Sequence, residues 1–386
     1  MRKSIKLIPI SASFLMIAIT VAVVPALADP PAGTTPRPQD IVGVGSETTQ
    51  YVFNQFSRDY NAGLTSRSAP RLVSWDATEP PKIFKPVIVK RGCPPELRSR
   101  LLLDPFRLKD PKGGTGFCID YLWSSRGRAV GDPPPGPGGI QFLPFGVDAV
   151  TWATNARHNG PANLSTAQLA AIYSCVVTNW KQVGGKDAPI DAQLPQTGSA
   201  TRKFFLTALG GGTPITPGPC VDSSKNETPN NLPEEDEGVS KFLRGPNVIY
   251  PYSVGRYIAE VFHSARCLNK GCTPDRGVVC VPRKGQNLFG CDNHGAMVLH
   301  TVGKTAPTSP FPLPKPPCRT CEINKKFSPA FLRLVYVVVR WARNTADNVP
   351  GYLEGIFGPK GWVCTNKTAK KDLASYGFLT LGRGCQ

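Results

Sequence analysis

The order of apolar and polar positions predicts an α/β chain. A polar, proline-rich stretch over 29–40 gives way to an apolar run at 41–44, which reads as a short strand. That run passes through Gly45-Ser46-Glu47-Thr48-Thr49 into a segment where Val52, Phe53, Phe56 and Tyr60 recur at helical spacing. Strand, Gly-Ser turn and helix together open an α/β unit. Further strands are expected near 85–90, 116–122, 140–145, 149–154, 248–252 and 296–301, and helices over 165–173, 201–209 and 253–263. Asn163 or Ser165 is the expected cap of the first of these helices. Phe331, Leu334, Val335, Val338, Val339 and Trp341 make 328–343 apolar on most sides, predicting a largely buried helix. Residues 131–139 and 210–237 read as loops. The second ends in Glu234-Glu235-Asp236-Glu237, taken as a solvated turn capping the helix after it. No internal repeat is visible.

The first residues change the picture of where the chain works. Arg2, Lys3 and Lys6 precede an apolar run from 7 to 24, and Ala26-Leu27-Ala28 is the small-x-small pattern of a cleavage site. The run could just span a bilayer as an anchor, but no stop-transfer pattern follows, so a cleaved signal peptide is favoured. No cysteine stands at the cut, so a secreted, extracytoplasmic product without a lipid anchor is expected, its only membrane contact being through the cleaved segment. Cleavage after Ala28 leaves 358 residues and, with three basic residues gone, lowers the net charge from +18 to +15. That length suits two lobes, each with its own core.

Twelve cysteines in an exported chain read as disulfides. Cys318-Arg-Thr-Cys321 is a lone Cys-x-x-Cys, and Cys267, Cys272, Cys280 and Cys291 near His263 and His294 could hold zinc, but disulfides are favoured; no metal or other cofactor is expected. Cys364 with Cys385 is a plausible pair, clipping the C-terminal tail. The basic residues are dispersed rather than gathered into tracts with aromatics, which argues against nucleic acid and leaves anion attraction or a solubilising surface.

Two segments share one device. Gly45-Ser46-Glu47-Thr48-Thr49 and Gly198-Ser199-Ala200-Thr201-Arg202 each lead from non-helical chain into a helix start. Helix starts carry unpaired amides and partial positive charge, glycine admits close approach, and hydroxyls add donors, which together seat an anion. Ordinary capping explains either one alone. Two of them some 150 residues apart suit a cleft that takes one seat from each lobe. A third segment, Ser124-Ser125-Arg126 at a strand end, adds two hydroxyls and a guanidinium, or is simply a surface turn. The four histidines are scattered and no Gly-x-Ser-x-Gly elbow occurs, so no enzyme is expected.

At these residues the chain resembles the PstS-like phosphate-binding proteins of the type II periplasmic (solute-)binding protein superfamily, in particular secreted actinobacterial relatives. The likeness runs through Val44-Gly45-Ser46-Glu47-Thr48-Thr49, through Phe142-Leu143-Pro144-Phe145-Gly146-Val147-Asp148-Ala149-Val150 and through 163–173 before Trp180. It continues in Thr197-Gly198-Ser199-Ala200-Thr201-Arg202-Lys203-Phe204-Phe205, in Tyr250-Pro251-Tyr252-Ser253 and in Phe357-Gly358-Pro359-Lys360-Gly361-Trp362-Val363-Cys364. The resemblance implies two α/β lobes of mixed sheets flanked by helices, with a ligand cleft between them. The implied layout is a signal peptide over 1–28, a leader over 29–40, lobe 1 over 41–151, lobe 2 over 152–255, and the rest of lobe 1 over 256–386 with a Cys-rich insertion at 264–326.

The resemblance also implies an oxyanion, phosphate foremost, held by Ser46, Thr48, Ser124, Ser125, Gly198, Ser199 and Thr201, with Arg126 or Arg202 offsetting its charge. An ABC importer or a cell-surface sensor is the implied partner. Three departures stand out. Ser125 occupies the place of the family's second aspartate, the arginine that usually precedes the Gly-Ser turn is missing, and Lys112-Gly113-Gly114-Thr115-Gly116 is a doubtful stand-in for a Ser-Gly-Gly-Gly turn. They leave open an alternative, a secreted cell-envelope or adhesion protein that keeps the fold without solute transport.

Overall fold

Two short strands pressed together at glycine begin the fold. Strand β1 (Ile41–Gly45) lies parallel to β2 (Leu72–Ser74) and to β3 (Tyr121–Ser124), with Gly45 opposite Trp123. A Cβ at Gly45 would stand 2.2 Å from the Trp123 carbonyl oxygen, so only glycine permits this approach. The structure is a computed structural model of the whole chain. It describes residues 36–74 without Pro38, 119–221, 240–263, 294–313, 321–343 and 348–382, with single positions at 233, 235, 236, 238 and 385. The signal segment, the strand expected near 85–90, the Lys112–Gly116 turn and most of the insertion at 264–326 lie outside the described residues.

Helix α1 (Glu47–Ala62) packs Phe53 face to face on Trp123, ring centroids 4.9 Å apart, and buries Val52 and Phe56 beside it. The remaining elements follow in order. They are β4 (Ile140–Asn155), β5 (Asn163–Leu164), α2 (Thr166–Tyr173), β6 (Asp191–Ala192), α3 (Ala200–Leu209), β7 (Val248–Ser253) and α4 (Val254–His263). After them come β8 (Met297–Leu299), β9 (Thr301–Val302), β10 (Thr308–Ser309), β11 (Glu322–Ile323), β12 (Leu332–Arg340), α5 (Gly351–Phe357), α6 (Trp362–Thr365), α7 (Lys367–Ser375) and β13 (Leu379–Thr380). Ser165 caps α2 in a reciprocal capping box with Gln168.

Among the described residues the main sheet is nine-stranded and mixed, in the order β2-β1-β3-β12-β4-β7-β6, with β8 and β13 also paired to β4. The two segments expected at 140–145 and 149–154 are one strand, β4, which crosses between two cores. Ile140, Leu143 and Phe145 belong to the first core with α1, β1 and β3. Val150, Trp152 and Ala153 belong to the second, with α2, α3 and β7.

The helix expected over 328–343 is a correction. A single 3-10 turn at Pro329–Phe331 leads into strand β12, which pairs antiparallel with β3 on one side and β4 on the other. Val337, Val338 and Val339 are buried on both faces of a central strand, a setting that gives a continuous apolar run with no period. β-Branched side chains tip such a run toward the sheet. Met297, Leu299, Val302, Ile323, Phe327 and Phe331 pack in the second core, although 256–386 was expected in lobe 1. The chain passes back toward the first core between Phe331 and Val335, and α4 also touches both cores through Ile258 and Ala259.

Candidate functional site

Three helix starts meet where β4 and β12 cross between the cores. Ser46 precedes α1 in extended conformation, yet its hydroxyl does not cap that helix and lies 3.0 Å from Ser125 Oγ at the end of β3. Ser199 caps α3 by accepting from the Arg202 amide at 2.9 Å. Ser253 does the same for α4, accepting from the Arg256 amide at 3.1 Å while its hydroxyl donates to Asp148 at 2.9 Å. The Gly255 amide donates to Asp148 Oδ1 at 3.0 Å.

One guanidinium ties these starts together. Arg333, at the beginning of β12 and 5 % exposed, donates from Nε to Asp148 Oδ2 at 2.9 Å. Its Nη2 reaches Thr201 Oγ1 at 3.0 Å in α3 and Thr48 Oγ1 at 3.4 Å in α1. The guanidinium also lies 5.7 Å from the centroid of the Phe204 ring. A second buried guanidinium, Arg256, pairs with Glu260 at 2.8 Å, donates to the Glu47 carbonyl at 2.8 Å and stacks 4.0 Å over Tyr51.

Two carboxylates of the chain itself enter this place. Glu235 Oε1 accepts from the Thr201 amide at 2.6 Å. Asp236 accepts from the Ser253 amide at 2.9 Å and from Thr48 Oγ1 at 3.3 Å. Burial, reinforced by the charge of Glu235, pushes the Asp236 carboxyl up to about 7. Burial likewise pushes Glu260 up to about 8 against the pull of Arg256. Tyr252 joins the two acids, its hydroxyl 2.6 Å from Glu260 Oε2 and 2.7 Å from the Asp236 carbonyl. The acidic run is thus corrected at these two positions. It is not a solvated turn there, because Glu235 and Asp236 are buried where amides of two helix starts offer them hydrogen bonds.

The expected site residues divide. Ser46 meets Ser125 beside the α1 start, Arg333 bridges Thr48 of α1 to Thr201 of α3, and Ser199 caps the helix that carries Thr201. Gly198 is an exposed turn residue with open space where a Cβ would stand. Ser124 closes a local turn, donating to the Arg126 carbonyl at 2.8 Å and accepting from its amide. Among the described residues, the guanidinium groups of the two expected arginines have other partners. Arg126 forms a fork with Asp132 at 2.6 and 3.0 Å, and Arg202 donates to the Pro195 carbonyl at 3.0 Å. Arg333 takes that place instead. A lone arginine in the otherwise apolar run 331–339 was the signal for it, since a buried charge requires a partner. Cys364 is joined to Cys385 and Cys175 to Cys220.

Residues 135–257 match the family model described as a PBP superfamily domain. The fold as a whole is like that of a Clostridium perfringens protein described as a candidate phosphate ABC transporter substrate-binding protein, solved with bound phosphate. The TM-score is 0.50 at 13% identity, covering 89% of this chain and 100% of that one. The fold is that of a two-lobed periplasmic binding protein. An ABC-type phosphate transport receptor from Vibrio cholerae also matches, with TM-score 0.47, 16% identity, and 89% and 100% of the two chains covered. Within this binding-protein fold, the meeting of α1, α3, β4 and β12 lies where the two cores adjoin. Among the described residues no helix is long and apolar enough to cross a membrane.

Proposed function

We propose that the protein is an extracytoplasmic solute-binding protein that captures a small inorganic oxyanion, phosphate foremost, for an ABC importer or a cell-surface sensor. One observation carries the reading: Arg333 Nη2 reaches Thr48 at the start of α1 and Thr201 at the start of α3. A guanidinium flanked by two hydroxyls and by helix-start amides is a donor set that suits a tetrahedral oxyanion. The bound phosphate of the Clostridium perfringens protein, which has the same fold, supports the choice of ligand. Capture makes and breaks no covalent bond, so no side chain is assigned a catalytic role. The signal-peptide pattern at 1–28 supports delivery outside the cytoplasm.

Calorimetry with phosphate, sulfate and arsenate tests the reading. Micromolar or tighter binding of one of them is expected, weakened about tenfold or more by Arg333→Lys, which keeps the charge but loses the fork. If neither the native chain nor a form freed of the Glu235 and Asp236 charges binds any of the three, the reading fails.

A further inference from the structure

The oxyanion reading leaves one arrangement unexplained. Three of the donors around the seat already have acceptors, and those acceptors are carboxylates of the same chain, while Arg333 Nη1 is buried with no acceptor. The Thr201 amide ends on Glu235, and Thr48 Oγ1 and the Ser253 amide end on Asp236. These contacts join two neighbouring residues to the starts of α1, α3 and α4.

The charges around the seat point the same way. Arg333 is matched by Asp148 at 2.8 Å, and Arg256 by Glu260 at 2.8 Å. Arg333, the guanidinium at the seat, therefore has its own counter-ion before Glu235 and Asp236 are counted. An oxyanion entering beside those two acids would meet like charge at hydrogen-bonding range, in a place with little water to screen it. It would also find the Thr201 and Ser253 amides already used. The carboxylates and the unprotonated oxygens of an oxyanion compete for the same amides.

Resting on the oxyanion reading, we propose that Glu235 and Asp236 are a built-in competitor: their carboxylates stand in for ligand oxygens, and an external oxyanion binds only by displacing them. The seat's affinity is then set by two opposing quantities, the intrinsic strength of its donors and the fraction of molecules in which the acids have left. Apparent affinity falls by that fraction. The pair acts as a threshold, so that the protein loads only when oxyanion is abundant enough to win the exchange.

The test uses phosphate titrated calorimetrically into the exported chain at pH 7.5. Four forms are compared: native, Glu235→Gln with Asp236→Asn, Glu235→Ala with Asp236→Ala, and the control Asp187→Asn. Asp187 is an exposed acid paired with Lys181 on the surface. The amide pair keeps shape and carbonyl acceptors but loses charge, and it serves if the alanine pair does not fold. Phosphate is expected to bind the amide pair at least tenfold more tightly than the native chain, the alanine pair more tightly still, and the control as the native chain does. Binding unchanged or weakened in the charge-free pairs overturns the competitor and leaves the oxyanion reading standing. Weakening would instead make these acids acceptors for the ligand's proton. Absence of phosphate, sulfate and arsenate binding in every form removes the oxyanion reading and the competitor with it.

Discussion

Arg333 and Asp148 form a buried pair between neighbouring strands, Nε to Oδ2 at 2.9 Å and Nη2 to Oδ2 at 2.8 Å. Asp148 is fully buried and is also held by the Ser253 hydroxyl and the Gly255 amide. Removing one partner leaves the other charged and without its counter-ion in the interior, which costs about 3–5 kcal/mol. Asp148→Asn should therefore lower the unfolding free energy by about that amount in urea titrations. Asp148→Asn with Arg333→Met should lose less than the sum of the two single changes, because it removes both charges together.

The raised carboxyls give a pH dependence of defined sign. Asp236 titrates near 7 and Glu260 near 8 in the folded chain, both above their ordinary carboxylate range. Above about pH 4 the native chain holds protons on these groups that the unfolded chain has lost. Their contribution is full below that pH and is lost as pH rises through 7 and 8. Between pH 6.5 and 8.5, stability measured by urea midpoint should fall. Asp236→Asn with Glu260→Gln should flatten that slope, leaving the share of Asp372, whose carboxyl burial and Asp59 push up to about 8.

His300 acts in the opposite sense at lower pH. It stacks on Trp152 with centroids 4.2 Å apart, and its Nε2 lies 2.6 Å from Thr154 Oγ1. Burial, with His158 nearby, pulls its pKa down to about 3. The neutral ring contributes stability that is present above about pH 6.5 and is lost as pH falls toward 3. His300→Phe keeps the stack and should show a shallower acid-side loss in thermal melts run from pH 7 to pH 4.

The tail clip is open to direct assay. Cys364 and Cys385 close a segment of 21 residues with Cα atoms 5.3 Å apart. Loop-closure entropy puts the value of such a link at about 3 kcal/mol. Cys364→Ser with Cys385→Ser should lower the melting temperature of the oxidised protein, and added reductant should then have less further effect than on the native chain.

The parts of this fold written locally were legible in the sequence. β1, α1, α2, α3, β7 and α4 announce themselves through caps and apolar period within a dozen residues, and Ser165 with Gln168 spells out a capping box. β12 was not legible as a strand, because its identity comes from β3 and β4 on either side, which lie about 200 residues away in sequence. The site divides in the same way. Thr48 and Thr201 follow from helix-start chemistry, whereas Arg333, Asp148 and Asp236 meet only through long-range pairing. The acidic run looked like solvent-facing charge because sequence reveals the carboxylates but not the amides waiting for them.

β4 threads both cores as one continuous strand, and β12 begins where the chain returns. Asp148 and Arg333 sit on those two strands at the passage itself. Any swing of one half of the molecule against the other must twist the backbone on which this ion pair is mounted. On the proposed oxyanion reading, grip and pivot share this handful of atoms, and a substitution that stiffens the passage is expected to change affinity even if it touches no donor.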